Sequence, residues 1–308
     1  MRGWKPAVAL LALLSALLLS SCTARPRVFL VTDQASARAV GGREELRSIV
    51  ARAAGPSGLE LRVLVGLDEV GVADSMNNAI ADPSCRLIIV FTSIPVDARQ
   101  YAIGNSGILF ASYGQSSGDR PPNLLLIAPG RAESFREAGR RLGLIIAGLP
   151  EPEPAAVGIL DVSPTSTAEA EIAAFREGVA SASSGSTLLY RETRSVTDRT
   201  AALRALRELR ADGARFYLLK TYALTGACLD ELVNEGGQAV VEDCGEPGAC
   251  GSAAVLSVET DWQATFGAVF AALGGDGASW RAIDVSEAGR VVEQPKLATA
   301  TARQARSE

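Results

Sequence analysis

Ala156-Val157-Gly158-Ile159-Leu160 is a continuous apolar run, and Ser166-Thr167-Ala168-Glu169 follows it closely. A short run that is apolar on both faces suits a parallel strand covered by helices on each side. Ser166 to Glu169 reads as a capping box, and Ile172, Phe175 and Val179 continue from it at helical spacing. A strand followed by an amphipathic helix is the repeating unit of βαβ architecture.

The same alternation extends in both directions. Val28–Thr32, Leu61–Gly66, Arg86–Phe91, Gly107–Ala111 and Asn123–Ala128 form one series of strand-like runs. Ala156–Leu160, Thr187–Tyr190, Arg215–Leu219, Ala239–Val241 and Ala253–Val258 form a second. Between them, Leu46, Ile49, Val50 and Ala53 share a helical face that Gly55 can stop. Asp198 can cap a helix carrying Leu203, Leu206 and Leu209, and Thr260-Asp261-Trp262-Gln263 reads as a second capping box before Phe266, Val269, Phe270 and Leu273. Ten strands are many for one sheet, so the spacing predicts an α/β fold of two parallel sheets with a seam near Pro129. Pro150-Glu151-Pro152-Glu153-Pro154 reads as a stiff loop inside the second unit.

The chain has 308 residues, 47% of them hydrophobic, which is enough to bury a large core. Its 30 Lys and Arg against 35 Asp and Glu give a net charge of −5, with no His at all. A mildly acidic surface lacks the clustered cations that phosphate needs, so nucleic acid is not an expected partner. The absence of His excludes Ser-His-Asp triads, Cys-His dyads and His metal ligands. Without His, the Gly114-Gln115-Ser116-Ser117-Gly118 sequence has no triad base to activate its Ser, so neither an enzyme nor a cofactor is expected.

At the N-terminus, Arg2 and Lys5 precede the apolar run Ala7–Leu19, which is short for a membrane span and suits a secretory signal. Leu19-Ser20-Ser21-Cys22 then resembles a bacterial lipobox. Residues 1–21 are therefore read as a signal peptide and Cys22 as the lipidated first residue of a body held on the extracytoplasmic side of a membrane. Loss of Arg2 and Lys5 takes the charge from −5 to −7. Residues 294–308 have few apolar side chains and read as a disordered tail.

Four stretches carry a family resemblance. Val28-Phe29-Leu30-Val31-Thr32-Asp33 looks like a first strand ending in Asp. Phe135-Arg136-Glu137-Ala138-Gly139-Arg140-Arg141-Leu142-Gly143 is similar to a glycine-rich helix, and Phe175-Arg176-Glu177-Gly178 to a helix with an F-x-x-G pattern. Val255-Leu256-Ser257-Val258 resembles a strand that precedes a capped helix. With these, residues 27–293 resemble the type I periplasmic binding proteins, and most of all the basic-membrane-protein (BMP) family of substrate-binding lipoproteins. After Asp33 that family usually has Asp-x-Ser-Phe-Asn, where this chain has Gln34-Ala35-Ser36-Ala37-Arg38; a frequent Lys after Ser257 is replaced by Thr260.

The resemblance implies two doubly wound lobes with a hinge and a cleft between them. It places three crossings near Pro129, Ser252–Ala253 and Gly277, with residues 22–128 plus 254–277 in the first lobe and residues 129–253 plus 278–293 in the second. It further implies a monomeric solute-binding protein of an ABC importer, closing on a small polar, nucleoside-like ligand and docking on a permease. The alternative is a sensor or interaction lipoprotein that keeps the fold without transport.

Ligands of open α/β sheets sit beyond the carboxyl ends of strands. That rule selects Thr32, Asp33, Gln34, Asp68, Thr92, Ser93, Ser112 and Tyr113 from the first series, and Asp161, Ser163, Lys220, Tyr222, Glu242 and Asp243 from the second. Asp33 can accept hydrogen bonds from a ligand or cap a helix. Lys220 is the one Lys between residues 22 and 293 and offers a point charge to an anionic ligand or to a carboxylate such as Asp161. Asp33 and Lys220 are expected to face each other across the cleft. Tyr113 and Tyr222 follow strands directly and can stack on a flat ligand, whereas Trp262 shares the apolar face of its helix and is expected in the core.

Beyond Cys22 the chain holds Cys85, Cys228, Cys244 and Cys250. An exported protein can form disulfides. Cys85 precedes a first-lobe strand, at the end away from the cleft, and is expected free. One bridge is expected among the others, with Cys228–Cys250 and Cys244–Cys250 both open. A metal site using Glu242, Asp243, Cys244 and Cys250 matches no zinc spacing.

Overall fold

The computed structural model describes residues 25–293 apart from 56–57, 95, 114–119, 150–155, 245–249, 274–281 and 286–288. The residues expected to form the signal peptide (1–21), Cys22, the loop Pro150–Pro154, Gly277 and residues 294–308 lie outside the described residues.

All ten expected strands form, and they divide between two sheets. The first holds β1 (Arg27–Asp33), β2 (Glu60–Gly66), β3 (Cys85–Phe91), β4 (Leu109–Tyr113) and β5 (Leu124–Pro129). The second holds β6 (Ala156–Asp161), β7 (Thr187–Glu192), β8 (Ala214–Lys220), β9 (Gln238–Glu242) and β10 (Ala254–Thr260). Two further strands, β11 (Ala282–Val285) and β12 (Gly289–Glu293), complete six-stranded sheets in the orders β11-β5-β4-β3-β1-β2 and β12-β10-β9-β8-β6-β7. The first five strands of each sheet are parallel and run 2-1-3-4-5, the doubly wound order with a switch point between its first and third strands. β11 joins β5 in parallel, and β12 joins β10 antiparallel.

Two crossings fall elsewhere than expected. β10 lies between β9 and β12, so residues 254–260 belong to the second sheet, and its seven residues are buried on both faces as an interior strand requires. The chain therefore crosses at Thr260–Trp262 and not near Ser252–Ala253. Helix α9 (Trp262–Leu273, numbered in chain order below) packs on the first lobe, and β11 extends the first sheet, so residues 282–285 stay there and the return to the second sheet lies between β11 and β12. The first crossing, after Pro129, is where the sequence puts it.

The helices are α1 (Gln34–Ala39), α2 (Arg43–Ala54), α3 (Glu69–Ala81), α4 (Ala98–Gly104), α5 (Ala132–Ala147), α6 (Ser166–Ala182), α7 (Arg199–Ala211) and α8 (Thr225–Glu235), ahead of α9. Asp198 caps α7 by accepting the Ala201 N–H, as expected. The other two caps shift by one residue. Thr165 caps α6 through the Ala168 N–H at 3.1 Å, and Asp261 caps α9 through the Ala264 N–H at 2.8 Å, because Thr260 is still part of β10.

Each sheet buries an apolar layer on both faces. Leu30, Leu87 and Ile89 face α2 and α9, while Phe29, Val31, Ile88 and Val90 face α3 and α4. In the second lobe Val157, Ile159, Phe135 and Phe175 pack on one face and Leu160, Leu219, Leu206 and Cys228 on the other. Helices α5 and α6 approach backbone to backbone. A Cβ on Gly139 would collide with the carbonyl oxygen of Phe175, and one on Gly178 with that of Arg136. This contact holds α5, from Arg136 to Gly143, against the second half of α6.

Candidate ligand-binding cleft

Between the lobes lies a cleft of about 620 Å³, built from the carboxyl ends of both sheets. The first lobe lines it with Ser36, Phe91, Thr92, Ser93 and Tyr113, and α9 adds Trp262. The second lobe adds Arg131, Tyr222, Glu242, Asp243 and the Cys244 and Cys250 pair. Phe91, Tyr113 and Trp262 form an edge-to-face cluster, with Trp262 4.8 Å from Phe91 and 5.5 Å from Tyr113 between ring centroids. Trp262 is thus buried, as its helix face predicts, and also presents a wall to the cleft. Tyr222 and Asp243 both have φ of 45°, an uncommon backbone for residues other than glycine.

A second opening of about 910 Å³ lies at the outer edges of the sheets, between Asp68 and Glu69 after β2 and Glu192 and Arg194 at the end of β7. It has no aromatic wall among its lining residues. The smaller cleft combines apolar rings with convergent polar groups, as sites for small solutes do.

Asp33 ends β1 at the switch point but does not line the cleft. Its two oxygens accept from the N–H groups of Ala35, Ser36 and Ser93 and from the hydroxyls of Ser36, Thr92 and Ser93, at 2.6–3.2 Å. Burial alone would push this carboxyl up; the bonds from Ser36, Thr92 and Ser93 outweigh it and hold Asp33 below the usual carboxylate range. It is the cap of α1, and it positions Ser36 and Ser93, which do face the cleft. Asp161 ends the equivalent strand β6 with fewer donors, the Ser163 N–H at 2.9 Å and the Tyr190 hydroxyl at 3.4 Å. There burial prevails and the carboxyl is raised.

Lys220 also ends its strand, yet it is fully buried and turned into the second lobe. Its ammonium donates to Glu171 at 2.7 Å and Glu242 at 2.9 Å and lies 4.6 Å from the Phe135 ring centroid. Burial works against this charge, and Glu242 and Glu171 overcome it, so Lys220 stays protonated well above its ordinary range. Asp33 and Lys220 therefore do not meet across the cleft: each is satisfied inside its own lobe.

Arg131 is one of the residues that the sequence reading does not select. It sits just beyond the first crossing, ahead of α5, and is buried. Its guanidinium holds Glu171 bidentately at 2.9 and 3.2 Å and reaches Glu242 at 2.7 Å, Asp243 at 3.2 Å and Thr260 at 3.1 Å. Burial pushes the Asp243 carboxyl up to about 7; Arg131 and the Thr260 N–H oppose this, and Glu242 and Glu259 add to it. Glu171 is held below its ordinary range, because Lys220 and Arg131 outweigh its burial.

Of the residues expected at the site, Thr92, Ser93, Tyr113, Tyr222, Glu242 and Asp243 line the cleft. Asp33, Asp161 and Lys220 lie behind it, and Gln34 is exposed in the first turn of α1 outside it. Phe91 and Arg131 were not foreseen. Phe91 reads as the last core residue of its strand, and Arg131 follows a crossing and belongs to no strand; a cation directly after Pro129-Gly130 is the one signal available.

Cys244 and Cys250 are bridged, which selects one of the two open pairings, and Cys85 and Cys228 are buried free thiols. Burial pushes both thiols up to about 11, which keeps them inert. The bridge also removes both sulfurs from any metal site with Glu242 and Asp243, and no cluster able to hold a metal occurs among the described residues.

No family model matches the chain, and no curated protein matches it by sequence. Solved structures do. A solute-binding protein of an ABC transporter system from Aeropyrum pernix K1 superposes with a TM-score of 0.65 at 13% identity, over 90% of this chain and 81% of that one. The Caulobacter myo-inositol binding protein, bound to myo-inositol, gives 0.59 at 14% identity over 90% and 96%. A transcriptional activator of the comK gene from Bacillus halodurans gives 0.63 at 14% identity over 91% and 94%. Likeness at such identities is likeness of fold: two α/β parallel-sheet lobes resembling the type I periplasmic binding proteins.

Proposed function

We propose that this chain is an extracytoplasmic solute-binding protein of an ABC importer, lipid-anchored through Cys22. The observation that carries the reading is the cleft of about 620 Å³ between the two sheets' carboxyl ends, with an aromatic wall on one lobe and a polar floor on the other. Such a site suits a small hydroxylated ring, a sugar, polyol or nucleoside-like solute. Its apolar face can rest on Phe91, Tyr113 and Trp262, and its hydroxyls can meet Ser93, Tyr222, Glu242 and Asp243. Contacts from both lobes favour the closed form, and a closed monomer is what a permease would recognise. Among the described residues no helix is long and apolar enough to cross a membrane. The BMP family within this fold remains supported by the four stretches quoted above.

A second reading is a sensor lipoprotein without transport. It draws on the loop after Asp33, which departs from the transporters' pattern, and on the fold's occurrence in a transcriptional activator.

Mass spectrometry of small molecules released from the denatured full chain tests the reading, together with thermal shifts against sugars, polyols and nucleosides. A bound solute and a raised melting temperature are expected. An empty cleft and no shift across the panel would favour the sensor. Cys22→Ala should leave unprocessed precursor, and an acylated product from that variant would remove the anchor.

A further inference from the structure

The solute-binding reading leaves open what the polar floor demands of its ligand, and the donors and acceptors there decide it. Arg131 has five N–H groups. Nε reaches Glu171, Nη1 reaches Asp243 and Thr260, and Nη2 reaches Glu171 and Glu242. Every donor is engaged. Lys220 is fully buried and is not among the residues lining the cleft. Neither cation of this floor is therefore left to hold an anionic ligand; Arg38, which also lines the cleft, is an exposed side chain of the first lobe.

The acceptors are in the opposite state. Glu242 lines the cleft with a side chain only 9% exposed, and its Oε2 is buried without a hydrogen-bond partner. A buried unpaired acceptor is destabilising, so a ligand that donates to it recovers that loss. Charge points the same way. The hydrogen-bonded set holds two cations, Arg131 and Lys220, against three carboxylates, Glu171, Glu242 and Asp243. Asp161 and Glu259 add buried carboxyl groups close by. Burial is what raises the Asp243 carboxyl most, and the neighbouring Glu242 and Glu259 add to it. The facing wall of Phe91, Tyr113 and Trp262 suits a sugar ring and tolerates a cation. No metal cluster among the described residues competes for the spare oxygen.

We propose that Glu242 and Asp243 form a subsite for a protonated amine, and that the solute is an amino sugar. The subsite rests on the solute-binding reading, and it can fail while that reading stands.

Titration calorimetry on the full chain in detergent, at pH 7, tests it with three matched sets: glucosamine, galactosamine and mannosamine, their neutral parent hexoses, and their N-acetyl forms. At least one amino form should bind about 10-fold or more tightly than its parent, an amount equal to about 1.4 kcal/mol. N-acetylation, which removes the charge, should abolish that gain. Glu242→Gln should bring amino and neutral forms within about 3-fold of each other. A parent that binds as tightly as its amine overturns the amine subsite and leaves the solute-binding reading intact. If none of the nine compounds binds, the amino-sugar proposal is overturned, and the released-solute measurement decides separately whether the wider reading falls. The wild-type comparison decides the matter even where Glu242→Gln does not fold.

Discussion

The guanidinium of Arg131 donates to the hydroxyl of Thr260 at 3.1 Å, joining the residue just after the first crossing between the lobes to the last residue before the second. The same guanidinium neutralises the carboxylates that floor the cleft. Arg131→Met should remove this tie and leave Glu171, Glu242 and Asp243 with Lys220 alone. Breaking a buried pair by deleting one partner costs about 3–5 kcal/mol. Urea denaturation should show a loss of that order. Arg131→Lys, which cannot reproduce the fork, should fall between the two. A loss below about 1 kcal/mol for Arg131→Met would mean that the cluster relaxes without its cation.

Asp33→Ala should act on stability before it acts on binding. The carboxylate caps α1 and anchors the Thr92–Ser93 loop, so its removal should cost about 2–4 kcal/mol. Its folded pKa is depressed, so the stabilisation is complete above the unfolded value of about 3.9 and is lost as pH falls through the folded one. The gap between wild type and Asp33→Ala in urea midpoint should be full at pH 7 and shrink below about pH 4. A constant gap down to pH 2.5 would contradict a charged cap.

Asp243 should give the opposite slope in a different window. Its folded pKa is raised to about 7, against about 3.9 unfolded, so between those values the folded state binds the extra proton. Stability should therefore fall as pH rises from about 4 to 7, by on the order of 2–4 kcal/mol, and level off above. Arg131 opposes the shift, while Glu242 and Glu259 support it. Asp243→Asn should flatten this slope, as urea midpoints at pH 5 and pH 8 would show. An unchanged slope would assign the titration to another group.

The fold was legible because parallel strands covered on both faces leave unbroken apolar runs, and because Asp198, Gly55 and the aliphatic spacing mark where helices start and stop. Sheet membership at the C-terminal end was not. Val255–Val258 is apolar enough for either sheet, and no local feature says that the chain crosses after Thr260. Strand ends located the site but not the direction of each side chain. Asp33 and Lys220 stand at the correct ends of β1 and β8, yet the donors of Ser36, Thr92 and Ser93 and the carboxylates of Glu171 and Glu242 draw them inward. Those partners are 3 to 60 residues away in sequence, and only the folded chain brings them together.

Two glycines that look alike in sequence should respond with opposite signs to the same substitution. Gly178, in α6, has the Arg136 carbonyl oxygen where a Cβ would sit, and backbone cannot step aside as a flexible side chain can. Gly267, in α9, has open space at the same point. Ala is favoured over Gly inside a helix by about 1 kcal/mol. At Gly267 nothing opposes that gain, so Gly267→Ala should raise stability by up to this amount. At Gly178 overpacking costs about 1–3 kcal/mol or more, so the net change should be a loss. The loss should reach the cleft as well. Parting α5 from α6 draws Arg131, just before α5, away from Glu171 in α6, and loosens a bidentate pair now at 2.9 and 3.2 Å. Gly178→Ala should therefore lower both the urea midpoint and the affinity for whatever solute the wild-type chain binds, while Gly267→Ala leaves affinity unchanged. Equal stabilisation by both substitutions would show that α5 and α6 are not in backbone contact.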